Sequence, residues 1–281
     1  MKTILVPFRD DATALAALDL ACQAAAARGA CIEGLFIQTA PLVYASEGIA
    51  IGGYVTQLAD EELRRGDEAR ARFVERVRAN GIEFFDEGEA PAEGARAIWR
   101  QIDGLGEQIV GEYGRVFDLI AIGRETDESS PDWNVLCEAA LFESGRLLFL
   151  APPSLPATFG ERVAVLWNGS TETARTLGAA LPLLQAAGET VVCAVEGVHV
   201  PGPDVDQVTR RLAVNGVRAR THVTALDGRP PGPAVLDDAM QTKPDLLVKG
   251  AYAQSRLRQM IFGGATRHIL KHAELPVIMG H

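Results

Sequence analysis

The hexapeptide Asp118-Leu-Ile-Ala-Ile-Gly123 returns 127 residues later as Asp245-Leu-Leu-Val-Lys-Gly250, and the two copies align without a gap. Each copy begins with an aspartate, continues with three or four apolar residues and ends on a glycine. A short apolar run bounded by turn-forming residues is typical of a strand that is buried on both faces of a parallel sheet. Its recurrence at a fixed offset predicts that the chain contains one structural unit twice.

Further strand-like runs alternate with longer helical stretches around each hexapeptide, which is the pattern of β-α-β units. The first series of predicted strands spans residues 3–8, 30–37, 81–85, 118–123 and 146–150. The second series spans residues 162–167, 190–195, 217–223, 245–250 and 276–279. The predicted fold class is therefore α/β, with two tandem domains that each contain an open five-stranded parallel sheet.

A proline-rich segment separates the two series. Ala151-Pro-Pro-Ser-Leu-Pro156 follows the last predicted strand of the first series and cannot continue a helix or a strand ladder. We therefore expect one domain over residues 1–151 and a second over residues 157–281. The first copy also carries an apolar, glycine-containing insertion near residues 40–60, for which a lid, a partner interface and an ordered surface loop all remain open.

The composition limits the partners and the location that we expect. Of the 281 residues, 47% are hydrophobic, and the formal net charge is -10 with a pI near 5.1. Non-specific nucleic-acid binding requires an excess of Lys and Arg that this chain lacks. No apolar run reaches the roughly 18 residues of a membrane span, and the amino terminus lacks the layout of a signal peptide. We expect a cytoplasmic protein that binds neither nucleic acid nor membrane.

The cysteine and histidine patterns do not predict a metal site. The four cysteines are scattered among apolar residues without a Cys-x-x-Cys pair, so we interpret them as core side chains. His268 and His272 are four residues apart on one predicted helix, a spacing that could offer two imidazoles to a metal. Because no third ligand lies near them in the sequence, a solvated helix face or an interface is the favoured interpretation.

Two segments of the second copy are placed to bind a ligand, because open parallel sheets bind ligands at the carboxyl ends of their strands. Asn168-Gly169-Ser170 follows the first strand, and Gly250-Ala-Tyr-Ala253 follows the fourth. Gly263 and Gly264 then precede a predicted helix that runs to about His272. Glycines here let backbone N–H groups approach an anion beside a positive helix end. They also suit tight packing of a turn against a helix, and the sequence leaves both interpretations open.

The spacing Gly250-x2-Ala253-x9-Gly263-Gly264-x-Thr266 closely resembles the universal stress protein family in its tandem, two-copy form. Nucleotide-binding members of that family carry G-x2-G-x9-G-[S/T] at this place. The resemblance covers essentially the whole chain and is strongest over residues 245–279. It implies Rossmann-like domains of the adenine nucleotide alpha hydrolase type, with ATP or a related adenine nucleotide and Mg²⁺ as ligands.

The resemblance also implies which residues would hold the nucleotide. Asn168 would lie near the ribose and adenine, Val195 would border the base, and the glycines with Thr266 would meet the phosphates. The full set of expected nucleotide-binding residues is Asn168, Gly169, Ser170, Val195, Gly250, Ala253, Gly263, Gly264, Ala265 and Thr266.

Three of these positions depart from the family's pattern. Ala253 replaces the second glycine and adds a Cβ where the backbone needs positive φ or close approach. Gly264 stands in for a hydroxyl residue, which removes a side-chain donor to phosphate. Asn168 lacks the charge of the usual aspartate, although its amide can still bond a ribose hydroxyl. Nucleotide binding therefore depends on the backbone around these positions.

The first copy departs further from the pattern. At the offset of 127, the residues that correspond to Ala253, Gly263, Gly264 and Thr266 are Thr126, Leu136, Cys137 and Ala139. The loop at residues 125–130 is acidic and would repel phosphate. We therefore expect the first copy to be structural.

No general base and nucleophile converge in the sequence, so no catalytic residue is assigned and we expect at most slow ATP hydrolysis. The leading hypothesis is a stress-response protein whose second copy binds an adenine nucleotide and acts as a regulatory or binding module. The alternatives are a nucleotide-free tandem module that binds unknown protein partners, and a weak ATPase. Arg256, Arg258 and Arg267 flank the glycine segment, either as phosphate ligands or as ordinary surface charge.

The two fifth strands are the expected seam between the copies. In the family, edge strands of two such units pair across a twofold axis. The resemblance therefore implies either a homodimer or an intramolecular pseudo-dimer through residues 147–150 and 276–279. Such pairing would cover two edges that otherwise invite aggregation.

Overall fold

The computed structural model describes residues 1–9, 11–39, 52–89, 91, 93–126, 132–251 and 264–281. Most of the insertion predicted near residues 40–60 lies outside these ranges, as does the segment between Ala251 and Gly264. Within the described ranges, no helix combines the length and the apolar character that crossing a membrane requires.

The first half of the chain alternates strands with helices. Its strands are β1 (Thr3–Pro7), β2 (Cys31–Gln38), β3 (Glu83–Phe84), β4 (Arg96–Asp103), β5 (Leu119–Gly123) and β6 (Leu147–Ala151). Its α-helices are α1 (Ala12–Arg28), α2 (Gly52–Ala79), α3 (Gly106–Tyr113) and α4 (Trp133–Glu138). A 3-10 turn over Gly114–Val116 follows α3, and a π-helical turn over Ala139–Glu143 follows α4.

The second half repeats the alternation. Its strands are β7 (Arg162–Leu166), β8 (Glu189–Glu196), β9 (Ala219–Ala225), β10 (Leu246–Gly250) and β11 (Val277–Gly280). Its helices are α5 (Thr171–Ala179), α6 (Leu181–Ala186), α7 (Val205–Val214), α8 (Pro231–Gln241) and α9 (Gly264–His272).

The described strands form one eleven-stranded sheet in the order β3-β4-β2-β1-β5-β6-β11-β10-β7-β8-β9. The second half has the order β11-β10-β7-β8-β9, and the first half has the same arrangement, β6-β5-β1-β2-β4, with β3 added at its outer edge. Strands within each half run parallel to their neighbours. The predicted α/β class is confirmed, and the two sheets are continuous with each other.

The seam between the halves is the antiparallel pair of β6 and β11. Phe149 lies opposite Ile278, and Leu148 lies opposite Met279. This pairing occurs within one chain, so the protein adopts the intramolecular arrangement of the two that the resemblance implies. Since β6 also pairs with β5 and β11 with β10, both fifth strands are covered on both sides.

One strand was missed and another was overestimated in the first half. The predicted strand at residues 81–85 is only the two-residue edge strand Glu83–Phe84. The third strand of the half is β4, which the sequence prediction lacked and which pairs with β2 over its whole length. Its sequence, Arg-Ala-Ile-Trp-Arg-Gln-Ile-Asp, mixes charge with apolar residues because β4 lies near the sheet edge and is mostly half-buried.

The aspartate that opens each hexapeptide joins the fourth strand of its half to the first. Asp118 Oδ2 accepts a hydrogen bond from the backbone N of Thr3 at 3.1 Å, and Asp245 Oδ1 accepts one from the backbone N of Arg162 at 3.1 Å. Burial opposes ionisation of Asp118, but backbone hydrogen bonds from Lys2 and Thr3 outweigh it and hold the pKa of this carboxyl below its usual value. The repeated aspartate thus fixes which strand lies beside the first.

Two apolar layers enclose the sheet. Ile4 and Val6 of β1 belong to one buried cluster, which includes Leu18 of α1, whereas Leu5 belongs to the cluster on the opposite face. This alternation is the period of a strand that is buried on both sides. All four cysteines are free, and the interpretation as core side chains is confirmed for Cys22, Cys137 and Cys193, which are buried, whereas Cys31 is half-buried.

Pro182 interrupts the helical segment that follows β7. Helix α5 ends at Ala179, and α6 begins at Leu181 with Pro182 in its first turn, where the missing N–H costs least. Helix α5 buries Thr173, Thr176 and Leu177, whereas Ala174 is exposed.

The seam predicts cooperative unfolding of the two halves. Phe149 is fully buried, and its ring centroid lies 5.5 Å from that of Phe159. Phe149→Ala should reduce the free energy of unfolding by about 3–5 kcal/mol, because it leaves a cavity at the strand that joins the halves. Denaturant unfolding followed by circular dichroism should give one transition shifted as a whole. Val116→Ala, at a position that is 72% exposed, is the control and should change little. Two transitions, with only one shifted, would contradict this arrangement.

Candidate functional site

A cleft of about 60 Å³ opens at the carboxyl ends of β7, β8 and β10. This is the edge at which parallel sheets of this kind bind ligands. Helices α5, α8 and α9, together with residues that follow β7 and β8, supply the rest of its wall. The cleft is lined by Leu166, Trp167, Asn168, Thr173, Cys193, Ala194, Val195, Val198, Val235, Asp238, Lys249, Gly250 and Ala265. We call it the second-half cleft.

The loop after β7 is held in one shape by the loop that follows β8. Gly169 has φ +81°, and a Cβ there would lie 2.6 Å from the carbonyl oxygen of Val200. The backbone N of Val200 donates to the carbonyl of Asn168 at 2.9 Å. Trp167 Nε1 donates to the carbonyl of Pro203 at 2.8 Å. Glycine at 169 is therefore required by backbone conformation and by close packing.

Asn168 and Ser170 have separate roles in this loop. Ser170 Oγ accepts the backbone N–H of Thr173 at 3.2 Å, so Ser170 caps α5, and the side chain is buried outside the cleft lining. Asn168 Oδ1 accepts from Thr173 Oγ1 at 2.6 Å and from the backbone N of Ser170 at 3.2 Å. The Asn168 amide nitrogen has no acceptor among the described residues, which leaves it free to donate to a ligand.

Gly250 is required by packing even without a ligand. A Cβ at this position would overlap the backbone N of Thr173, and it would lie 2.5 Å from Thr173 Oγ1. Gly123, its counterpart in the first half, meets the backbone carbonyl of Thr13 in the same way. The glycine that ends each hexapeptide therefore lets the first helix of its half approach the fourth strand.

Gly250→Ala should consequently destabilise the ligand-free protein. The added methyl must displace α5, and overpacking of this kind costs about 1–3 kcal/mol. Thermal unfolding without nucleotide measures the effect. The control is Gly178→Ala on the exposed side of α5, where a Cβ meets nothing within 4 Å and should stabilise by about 0.5–1 kcal/mol. Wild-type stability of Gly250→Ala would show that the glycine has no packing role.

Lys249 is a site residue that sequence analysis missed. It lies in β10, is 8% exposed and lines the second-half cleft. Its Nζ donates to the carbonyl of Gly250 at 2.7 Å and to Thr266 Oγ1 at 2.8 Å. Burial lowers the pKa of this amine to about 8, which still leaves it mostly protonated at pH 7. The sequence signal that could have identified this residue is a lysine directly after the apolar residues Leu246-Leu-Val248 of a predicted buried strand.

Burial of this charge predicts a pH-dependent stability. The amine has a lower pKa in the folded than in the unfolded protein, so its burial cost is fully present below pH 8 and disappears as the pH rises towards 10.5. Lys249→Met should therefore be more stable than the wild type near pH 7, by up to roughly 3 kcal/mol before the lost hydrogen bonds are counted. Unfolding of both proteins is measured at pH 7, where the amine is mostly protonated, and at pH 10. The extra stability of Lys249→Met over the wild type should be smaller at pH 10. A difference that does not depend on pH would contradict the depressed pKa.

Most of the other predicted residues fall at or beside the cleft. Val195 and Ala265 line it, and Gly264 begins α9. Thr266 is buried, and its hydroxyl bonds Lys249. The two remaining predicted residues, Ala253 and Gly263, lie outside the described residues.

Asp238 and Cys193 are the acid and the thiol that line the cleft. Asp238 accepts hydrogen bonds from both terminal nitrogens of Arg229, at 3.0 and 2.9 Å, and this partner holds the pKa of the carboxyl below its usual value. Burial raises the pKa of the Cys193 thiol to about 12, so it is not a thiolate at neutral pH. Neither group is poised to act as a base or a nucleophile.

The first half retains a cleft of about 90 Å³ at the corresponding edge, lined in part by Phe8, Arg9, Asp11 and Trp133. Arg9 reaches across it to the carbonyl of Ile37 at 2.9 Å. Trp133 Nε1 donates to the carbonyl of Gly123 at 2.7 Å, which is the counterpart of the Gly250 carbonyl that Lys249 bonds. At this carbonyl a neutral indole takes the place of the buried ammonium.

The histidine pair lies on α9 with ring centroids 4.4 Å apart. In the described ranges, no group of three or more His, Cys, Asp or Glu side chains could hold a metal ion.

Comparison with known proteins assigns the second half of the chain to a family. Residues 161–281 match the model of the universal stress protein family. Residues 161–281 therefore form a universal stress protein domain, and this domain contains the second-half cleft. Comparison with curated proteins found no match.

Solved structures extend the fold likeness to the whole chain. A universal stress protein from Archaeoglobus fulgidus is 16% identical, with a TM-score of 0.72 over 99% of this chain and 95% of its own. A protein of unknown function from Pseudomonas aeruginosa has 16% identity and a TM-score of 0.55 over 100% and 92%. A further Pseudomonas aeruginosa protein, described as a universal stress protein, gives 16% identity and a TM-score of 0.54 over 100% and 93%. The chain thus shares its fold with solved chains of similar length.

Proposed function

We propose that the protein is a cytoplasmic stress-response protein that binds ATP or a related adenine nucleotide, with Mg²⁺, in the second-half cleft and acts as a regulatory or binding module. The observation that carries this proposal is the convergence of Asn168, Val195, Gly250 and Ala265 on one cleft. These residues come from four separate segments, and the resemblance implies each of them at a nucleotide site.

The chemistry of the cleft suits the parts of a nucleotide. Val195, Val198 and Trp167 offer apolar surface to a base, and the Asn168 amide offers a donor to a ribose or base acceptor. The cleft itself holds a group of a few heavy atoms. The rest of a nucleotide would extend towards the start of α9, whose positive end favours phosphate.

Binding, rather than turnover, is the favoured activity. Asp238 is paired with Arg229, and Cys193 remains a thiol, so neither residue is placed to activate a water molecule. A nucleotide would act by differential affinity for two states of the protein. Slow hydrolysis without a dedicated base remains compatible with this role.

Obstruction of the cleft tests the proposal. Val235 of α8 is partly buried and lines the second-half cleft, so Val235→Trp should block it and weaken ATP binding at least tenfold. The control is Val135→Trp, the same substitution in the first-half cleft, at a position that is 45% exposed. Isothermal titration of the full chain with ATP and Mg²⁺ measures both affinities.

We expect the wild type and Val135→Trp to bind one nucleotide with similar affinity. If the wild type gives no heat and no shift in melting temperature, the nucleotide role fails and the nucleotide-free module takes its place. If Val135→Trp weakens binding and Val235→Trp does not, the site lies in the first half.

A further inference from the structure

The ammonium of Lys249 is held in position but is incompletely bonded. Its Nζ makes two hydrogen bonds, to the Gly250 carbonyl and the Thr266 hydroxyl. A lysine ammonium has three N–H donors. No third acceptor lies within hydrogen-bond distance among the residues that the structure describes, so one donor remains for a ligand.

Lys249 also has no counter-ion in the described part of the protein. The acid of the same cleft, Asp238, is engaged by the guanidinium of Arg229 at 2.9 Å. Residues 252–263, which follow β10 directly, contain no Asp or Glu. An ammonium that is buried without a carboxylate partner is costly, and such a charge in a cleft marks a binding site.

The surroundings of this ammonium favour a phosphate group. Thr266 lies in the first turn of α9 and joins Lys249 to the amino end of that helix, which carries partial positive charge. The Asn168 amide nitrogen belongs to the same cleft and is also without an acceptor in the described residues. These donors suit a dianion with several oxygen acceptors better than a carboxylate with a single charge.

We propose that Lys249 is the phosphate-binding residue of the second-half cleft, with Nζ donating directly to a phosphate oxygen of a nucleotide or of free inorganic phosphate. The adenine part of the ligand rests on the proposed function above, whereas the phosphate contact does not require it. In the first half the corresponding carbonyl is bonded by the uncharged Trp133 indole. The cation that lines that cleft, Arg9, is bonded to the Ile37 carbonyl and paired with Glu62 at 3.4 Å, so the inference assigns phosphate to the second half.

The test compares three ligands on three proteins. Wild type, Lys249→Met and Lys271→Met are titrated calorimetrically with ATP, adenosine and inorganic pyrophosphate. Lys271→Met is the control, because it removes the same charge from the exposed side of α9. We expect Lys249→Met to weaken the binding of ATP and of pyrophosphate at least tenfold and to leave the affinity for adenosine unchanged. Lys271→Met should bind all three ligands like the wild type.

The outcomes separate this inference from the proposed function. If Lys249→Met binds ATP as tightly as the wild type, the inference is overturned and the nucleotide site stands. If the wild type binds pyrophosphate through Lys249 but not ATP, the inference stands and the nucleotide proposal fails. If the wild type binds neither ATP nor pyrophosphate, both the inference and the proposed function are overturned. Lys249→Gln, which removes the charge but keeps a donor for the Gly250 carbonyl, replaces Lys249→Met if that variant lacks the wild-type circular dichroism spectrum.

Discussion

The close approach of the first helix of each half to the end of its fourth strand is the constraint on which the cleft depends. At Gly250 there is no room for a side chain, because Thr173 of α5 occupies the space that a Cβ would need. At the other end of β10, Asp245 bonds the backbone where β7 begins. Strand β10 is thereby fixed at both ends, to α5 and to β7, and the residues that follow β7 and β10 are brought to one edge.

The repeated hexapeptide was enough to predict that each half contains such a buried parallel strand. Its aspartate, apolar run and glycine each have a structural use that recurs in both halves, so the offset of 127 carried real information about the fold. Strand β4 escaped prediction because a strand near a sheet edge needs little burial, and Trp99 and Ile102 lie among charged residues there. The fifth strands could be predicted because residues 147–150 and 277–279 are buried on both faces and therefore form apolar runs in the sequence.

The site was only partly readable from the sequence. Asn168, Val195 and Ala265 could be placed because strand ends and helix starts locate them. Lys249 was not found because a strand pattern does not reveal whether a charged side chain escapes to the surface or stays inside. The contact between Lys249 and Thr266 joins residues 17 apart, and it also gives Thr266 a role that its place in a motif does not specify.

The account's central claim is that the half with the buried ammonium is the half that holds the phosphate. A crystal structure of the full chain grown with ATP and Mg²⁺ tests this most directly, since the two clefts lie in one molecule and serve as references for each other. The account predicts density for a nucleotide in the second-half cleft, with a phosphate oxygen within 3.2 Å or so of Lys249 Nζ. Nucleotide bound in the cleft beside Trp133, or a phosphate turned away from Lys249, would contradict it.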